Sequence, residues 1–405
     1  MPTAPIPTVI PPKKRIALFM DGTWNIVSDN TNLWRLKALC SPVSADGLAQ
    51  CTYYNTGLGT RGEKFRSGMF GHGLDAAVVD GYEWLIENYN PGDEIFIFGF
   101  SRGAYIARSL SGFISKCGLL TPGAPLAVNQ LYGRYRRRHT LHTLRTLHEL
   151  KADKEKSIGT FTLEEEWMLK YSHPAPVKLI AVFDTVGALG IPFPNVPGLA
   201  RTGRGFLNTG LKISNDYAFH ALAIDEYRQA FSPTLWTQSI AKDATSPADQ
   251  TGRPLSEVEQ RWFVGAHANV GGGCQSDLLA QIPLRWLMSK ASLHGLAFRN
   301  EVTIDGDAMK SPISDSFREF LHGAYRLLKL GRPFYRTIGT PPEDHGDKIV
   351  STINETIDVS VFDRWRENPE YRPWNLARWA KDYGVDPASL RTSVRADAPA
   401  VAVPH

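Results

Sequence analysis

The chain has 405 residues, 42% of them hydrophobic, with 35 Gly, 27 Pro and a formal net charge of +4; this is a globular composition and excludes a disordered, collagen-like or repeat-array chain. The basic excess falls far short of the dense stripe that a nucleic-acid binder needs, so no nucleic-acid partner is expected. Cys40, Cys51, Cys117 and Cys274 are scattered without C-x-x-C spacing. No zinc site or other metal centre and no disulfide framework is indicated, and reduced thiols suit a cytoplasm-like compartment.

Residues 1–14 form a proline-rich arm without the charged-then-apolar order of a secretory signal. No stretch reaches the length of a membrane span, so the protein is expected to be cytoplasmic as synthesised, with any export by a non-classical route. The first strand-like run, IALFM at 16–20, ends in Asp21-Gly22-Thr23. A strand ending in D-G-T is similar to the D-x-D-G-T loop of phosphatases, but the nucleophile's position holds Phe19, whose ring cannot attack phosphorus.

Further buried-strand patterns follow in TYYNT (52–56), EIFIFGF (94–100), VKLIAVF (177–183) and RWFVGA (261–266). Helical spacing of Leu74, Val78, Tyr82, Leu85 and Tyr89 marks a helix that stops at Asn90-Pro91-Gly92-Asp93, and another helix is expected from Gly103 to Cys117. NDYAFHALAIDEYRQAF, around His220, also reads as a helix. Strands interleaved with helices predict an α/β fold, α/β-hydrolase-like, with a mainly parallel sheet flanked by helices and ligands at the carboxyl ends of strands.

Two segments break this rhythm. Residues 121–176 hold YGRYRRRH and charged helical stretches. They read as a helical cap insertion whose basic run could touch an anionic membrane surface, against the alternative of a solvated excursion. Residues 290–380 mix short helices with irregular structure inside a domain placed at 15–380, and 381–405 read as a loose tail.

The most specific motif is Gly99-Phe100-Ser101-Arg102-Gly103 between a strand and a helix. The turn is too tight for side chains beside the serine, hence the flanking glycines, and it pushes the hydroxyl into the open at a helix start. A serine nucleophile needs a base, itself oriented by an acid. His267, at the end of a strand-like run, is the candidate base; His72 and His220 compete. Asp184, where VKLIAVF meets a glycine-rich loop, is the candidate acid; Asp225 and Asp277 compete. Ser101, Asp184 and His267 follow the order Ser, Asp, His that α/β-hydrolases use.

Acyl transfer also needs two backbone N–H donors for the oxyanion, one from the residue after the nucleophile, Arg102, and one from a loop after an earlier strand. DGTWN is placed to be that loop, with Gly22 and Thr23 as the donor segment and Asp21 supporting it. Val270 to Gly273 could cradle phosphate, but no G-K-[ST] follows, and shaping of the His267 loop explains the glycines better.

The segments ALFMDGTWN, YYNTGLGT, GHGLDAAVVDGYEWLIENYNPGDEIFIFGFSRGAYIARSLSGFISKCGLL, VFDTVGALG, HALAIDEYRQAFSPTLW and WFVGAHANVGGG together resemble the α/β-hydrolase domain family DUF2235. That family includes catalytic domains of phospholipase effectors of the type VI secretion system. The resemblance runs from about residue 15 to 290. It implies esterase or phospholipase activity without a cofactor, an ester or phospholipid substrate, a secretion-system partner and a triad of Ser101, Asp184 and His267. Where members of the family often read H-S-D-V-G-G-G, this chain has His267-Ala268-Asn269-Val270. A second class of function, a binding or toxin-delivery module that keeps the fold and engages a partner or membrane through its basic cap with catalysis lost or secondary, is separated from the first by a hydrolase assay.

Overall fold

Apolar residues on both faces of short runs build one twisted sheet. In β1 (Lys14–Met20) Ile16, Leu18 and Met20 face one layer while Ala17 and Phe19 face the other. After α1 (Asn32–Leu39), β2 (Ala49–Asn55) and α2 (Met69–Asn88), β3 (Glu94–Phe100) divides in the same way, Ile95 and Ile97 against Phe96, Phe98 and Phe100. A strand buried on both faces reads as a continuous apolar run, which is the signature of a parallel sheet covered by helices. Phe19 and Phe98, paired in register, stack with centroids 4.9 Å apart. The position that a phosphatase would use for its nucleophile is therefore core.

The computed structural model describes residues 11–22, 27–57, 69–137, 142–152, 161–187, 215–242, 253–274, 278–315 and 333–403. Beyond β3 the described chain runs through α3 (Arg102–Cys117), β4 (Leu119–Leu120), α4 (Val128–Arg136), α5 (Leu144–Ala152), α6 (Leu163–Tyr171), β5 (Ser172–His173), β6 (Val177–Phe183) and β7 (Asn215–Ala223). It continues through β8 (Thr237–Ala241), β9 (Val258–Phe263), α7 (His267–Gly271) and α8 (Gln281–Leu293). The last part comprises β10 (Glu343–Asp344), β11 (Lys348–Thr352), β12 (Glu355–Ile357), α9 (Val359–Glu367), α10 (Trp374–Tyr383), β13 (Ser393–Arg395) and β14 (Ala402–Val403). Among the described residues the central sheet has the order β14-β13-β12-β9-β7-β6-β3-β1-β2. Its pairings are parallel from β2 to β12, with β13 and β14 antiparallel at one edge. This is the expected α/β-hydrolase-like class, a mostly parallel sheet between helical layers.

Two expectations are corrected. The segment around His220 is the strand β7, not a helix: it pairs with both β6 and β9, and Ala218, Phe219, Ala221, Leu222 and Ala223 are all buried. A run buried on both faces has no period-two alternation, so its apolar spacing fitted a helix equally well. The expected loose tail is instead sheet, because β13 and β14 extend the ladder past β12 and bury Val394 and Val403. Within 290–380, β12 joins the main sheet while β10 and β11 form a small separate sheet with β8.

The insertion is helical where described. The pair β4–β5 closes its two ends, and its main contacts fall on α2 and α3. A capping box between Thr162 and Glu165 starts α6. The arginines of YGRYRRRH that are described turn to the protein's own acids. Arg134 is buried against Glu164 and Glu165, Arg136 meets Asp75, and Arg137 meets Glu164 at 2.6 Å. Arg138 and His139 lie outside the described residues.

Candidate active site

The carboxyl ends of β3, β6 and β9 bring Ser101, Asp184 and His267 together. Ser101 adopts φ 58° and ψ −121° between β3 and α3, a conformation that costs a non-glycine residue and is held by its surroundings. Its N–H donates to Phe183 O at 3.0 Å. A Cβ at Gly99 would lie 2.5 Å from Ala104 Cα, and one at Gly103 only 2.0 Å from Met20 O and 2.4 Å from Asp21 O. Both glycines of the motif are steric requirements, and Gly103 seats the helix directly on the end of β1. Alanine inside a helix ordinarily gains about 1 kcal/mol over glycine, but a clash with backbone cannot be relieved by a rotamer change. Gly103→Ala should therefore lower the thermal midpoint by several degrees, corresponding to about 1–3 kcal/mol of overpacking; an unchanged or higher midpoint would contradict this packing.

His267 opens α7 and is buried between Phe100, at 4.8 Å, and Phe231, which meets its ring edge-on at 5.0 Å. Its Nε2 is 2.8 Å from Ser101 Oγ and its Nδ1 is 2.5 Å from Asp184 Oδ2. A Cβ at Gly271 would meet the Phe100 ring at 1.9 Å, so that glycine admits the aromatic floor. Asn269 accepts from Ala266 N–H at 3.1 Å and from Ser314 N–H at 2.9 Å. The amide oxygen performs that bracing without a charge.

Asp184 is fully buried. Burial alone would raise its pKa, but the charge of Arg336 and the hydrogen bond from His267 outweigh it and hold the carboxyl well below the usual carboxylate range. For His267, burial outweighs the opposing pull of Asp184 and lowers the imidazole pKa. The pair therefore rests as a carboxylate and a neutral imidazole, which leaves Nε2 free to accept the Ser101 proton.

The competing residues have other work. His220 lies in β7, where its Nε2 accepts from Thr185 N–H at 3.0 Å and its Nδ1 is 3.4 Å from Gln260 Oε1; burial pushes its pKa down to about 3. It is a neutral brace for the loop after Asp184. Asp225 accepts from Gly265 N–H at 2.7 Å and from Tyr371 OH at 3.0 Å, holding the turn before His267, and burial pushes its pKa up to about 6. His72 falls within α2. Asp277 lies outside the described residues.

Asp21 braces its loop: Oδ2 accepts from Thr31 Oγ1 at 2.5 Å and from Tyr54 OH at 2.7 Å, and Oδ1 accepts from Gly22 N–H at 2.6 Å. That last bond corrects the expectation for Gly22. Its N–H is turned onto the Asp21 carboxylate, so its contribution is close backbone approach. Gly22 O faces Gly57, where a Cβ would come within 2.3 Å. Thr23 lies outside the described residues, while Arg102 is the first residue of α3, directly after Ser101.

Two groups near the site had no signal in the sequence. Glu226 accepts from Arg228 Nε and Nη2, both at 2.8 Å, and its Oε2 lies 3.3 Å from the His267 backbone N. Arg336, more than 150 residues past Asp184 in the chain, grips both carboxylate oxygens.

Residues 14–290 match the family described as type VI secretion system (T6SS) phospholipase effector Tle1-like, catalytic domain. Among curated proteins, uncharacterized protein YEL023C of Saccharomyces cerevisiae (strain ATCC 204508 / S288c) is 28% identical over 244 residues, covering 55% of this chain and 33% of the relative. The chain thus spans about a third of that protein's length. The Tle1 effector bound to the VgrG spike from the type 6 secretion system aligns at 19% identity and a TM-score of 0.33, over 64% of this chain and 51% of its own. An uncharacterized protein from Pseudomonas aeruginosa aligns at 14% identity and a TM-score of 0.38, over 79% and 51%. Thermogutta terrifontis esterase 2, phosphoramylated by tabun, aligns at 12% identity and 0.34, over 70% and 85%. The family match covers more than half of the chain, and the chain belongs to the T6SS Tle1-like phospholipase-effector catalytic domain family, a family of hydrolase type.

Proposed function

We propose that the chain is a serine hydrolase of carboxylic esters, with a lipid or phospholipid as substrate, working through an acyl-enzyme. The observation that carries this reading is the unbroken hydrogen-bond path from Ser101 through His267 to Asp184. Ser101 Oγ attacks the carbonyl carbon as His267 Nε2 takes its proton; Asp184 holds the Nδ1–H tautomer and stabilises the imidazolium that forms. His267 then returns the proton to the leaving alcohol. A water deprotonated by the same imidazole releases the acid and restores Ser101. Arg102 N–H and the N–H of Thr23 are the proposed oxyanion donors, and Asp21 braces the chain at Gly22, just before Thr23.

The family's description as phospholipase effectors supports the lipid substrate, a secretion-system partner and export from the cytoplasm by that route. For a binding module working through a basic cap, the internal pairing of Arg134, Arg136 and Arg137 leaves those charges already answered.

The function is tested with one preparation on two substrates: a p-nitrophenyl acyl ester in the presence of EDTA, and a phosphate monoester with magnesium. Turnover of the first is expected. Turnover of the second alone would overturn the assignment and revive the phosphatase reading of LFMDGTWN. Because burial lowers the His267 pKa, the imidazole stays neutral to lower pH, and the acid limb of kcat/KM should lie below the ordinary imidazole value of about 6.5.

Asp21→Ala should lower kcat by about ten- to hundredfold, less than the loss of an oxyanion donor itself, with KM nearly unchanged. The loop serves charge that exists only in the transition state. A raised KM at constant kcat would assign Asp21 to substrate binding instead.

A further inference from the structure

The guanidinium of Arg336 is fully buried and faces the catalytic carboxylate with both terminal nitrogens. Nη1 donates to Asp184 Oδ1 at 2.6 Å and Ala223 O at 2.7 Å; Nη2 donates to Asp184 Oδ2 at 2.9 Å and Phe231 O at 2.6 Å. Asp184 Oδ1 also accepts from Ala223 N–H at 3.0 Å, and Oδ2 from His267. Four hydrogen bonds thus meet the carboxylate, two on each oxygen, and two of the four come from a residue outside the family-matched segment 14–290. Such a bidentate pair fixes the plane of a carboxylate where a single bond would leave it free to rotate.

We propose that Arg336 is a positioning residue of the esterase site: it locks the Asp184 carboxylate on His267 Nδ1 and answers its charge, so that His267 stays a neutral base. The inference rests on the esterase reading above. Among the described residues, the charged and titratable groups around the imidazole are Asp184, Glu226 and Arg228, with Arg336 on the far side of the Asp184 carboxylate, Asp225 behind the Gly265 turn, His220 against the loop after Asp184 and Arg102 next to Ser101 in the chain. Glu226 and Arg228 cancel one another as a bidentate pair. Asp184 and Arg336 form the second such pair, so that the imidazole sits among balanced charges. Removing the Arg336 charge leaves an unanswered carboxylate against Nδ1, which favours the imidazolium and takes the base out of action at higher pH. Arg336 also fixes Phe231 through its carbonyl, and the Phe231 ring walls the imidazole.

The test uses the full chain and a soluble p-nitrophenyl ester, comparing wild type with Arg336→Gln, Arg336→Lys and Ser101→Ala. For Arg336→Gln the acid limb of kcat/KM should move up by about one pH unit or more. Its kcat at neutral pH should fall by about ten- to hundredfold, with KM within about twofold. Arg336→Lys retains the charge without the fork; its acid limb should stay near that of the wild type while kcat still falls. A role confined to folding would lower the active fraction without moving the limb. A folded Gln variant with the wild-type limb, or a Lys variant whose limb moves as far as that of Gln, overturns the proposal. If the Gln variant does not fold, the Lys variant decides, and a wild-type kcat there overturns it. Ser101→Ala separates the two layers: if that variant still turns over ester, the esterase reading itself falls, whereas an inert Ser101→Ala beside an unmoved limb removes only the role of Arg336.

Discussion

Ser101→Ala should fold as the wild type and lose ester hydrolysis by roughly four to six orders of magnitude, together with all covalent labelling by a fluorophosphonate. The substitution deletes one hydroxyl from a turn whose conformation is imposed by neighbours: Gly99 against Ala104, Gly103 against β1, and the bond from the residue-101 N–H to Phe183 O. None of these needs the side chain. His267→Ala should be equally damaging, and the double variant no worse than either, because the two groups act on one proton and their losses do not add. Turnover of the double variant well below both single variants would show that they act independently.

Asp184→Asn should cost about 10⁴-fold in kcat and, unlike the serine change, should also destabilise the fold. An amide offers one oxygen where the carboxylate offers two, so its NH2 group must face either His267 Nδ1–H or the Arg336 fork. The first choice forces the wrong imidazole tautomer; the second sets donor against donor. In both, a buried guanidinium loses its counter-charge, a change that costs about 3–5 kcal/mol when one partner of a buried ion pair is removed. Kinetics and thermal unfolding on the same preparation check the two effects together. A large kinetic loss with an unchanged midpoint would mean that Arg336 does not depend on Asp184 for its burial.

The residues that meet at the candidate site were legible where local sterics or strand-end chemistry leave a trace. Gly99 and Gly103 flank Ser101 because a Cβ would strike backbone at either place. Asp184 and His267 stood out as polar residues at the ends of apolar runs that become the buried β6 and β9. Strand β7 was not legible, since burial on both faces erases the alternation that marks a strand. Nor was the direction of the Gly22 N–H, which a neighbouring carboxylate decides and composition does not. Arg336 carries no local pattern at all: it reaches Asp184 only because the chain beyond residue 290 folds back beside the carboxyl ends of the strands. The edge strands β13 and β14 escaped for a simpler reason, being three and two residues long in a segment rich in Ala and Pro.

Mapping a fluorophosphonate adduct on the intact chain decides whether Ser101 is an ester-hydrolysing nucleophile activated by His267. The wild type should carry one adduct, on the peptide containing Ser101, with loss of esterase activity in proportion to labelling; His267→Ala should label slowly or not at all. An adduct on a different serine, or full esterase activity in a completely labelled sample, would mean that Ser101 is not the nucleophile.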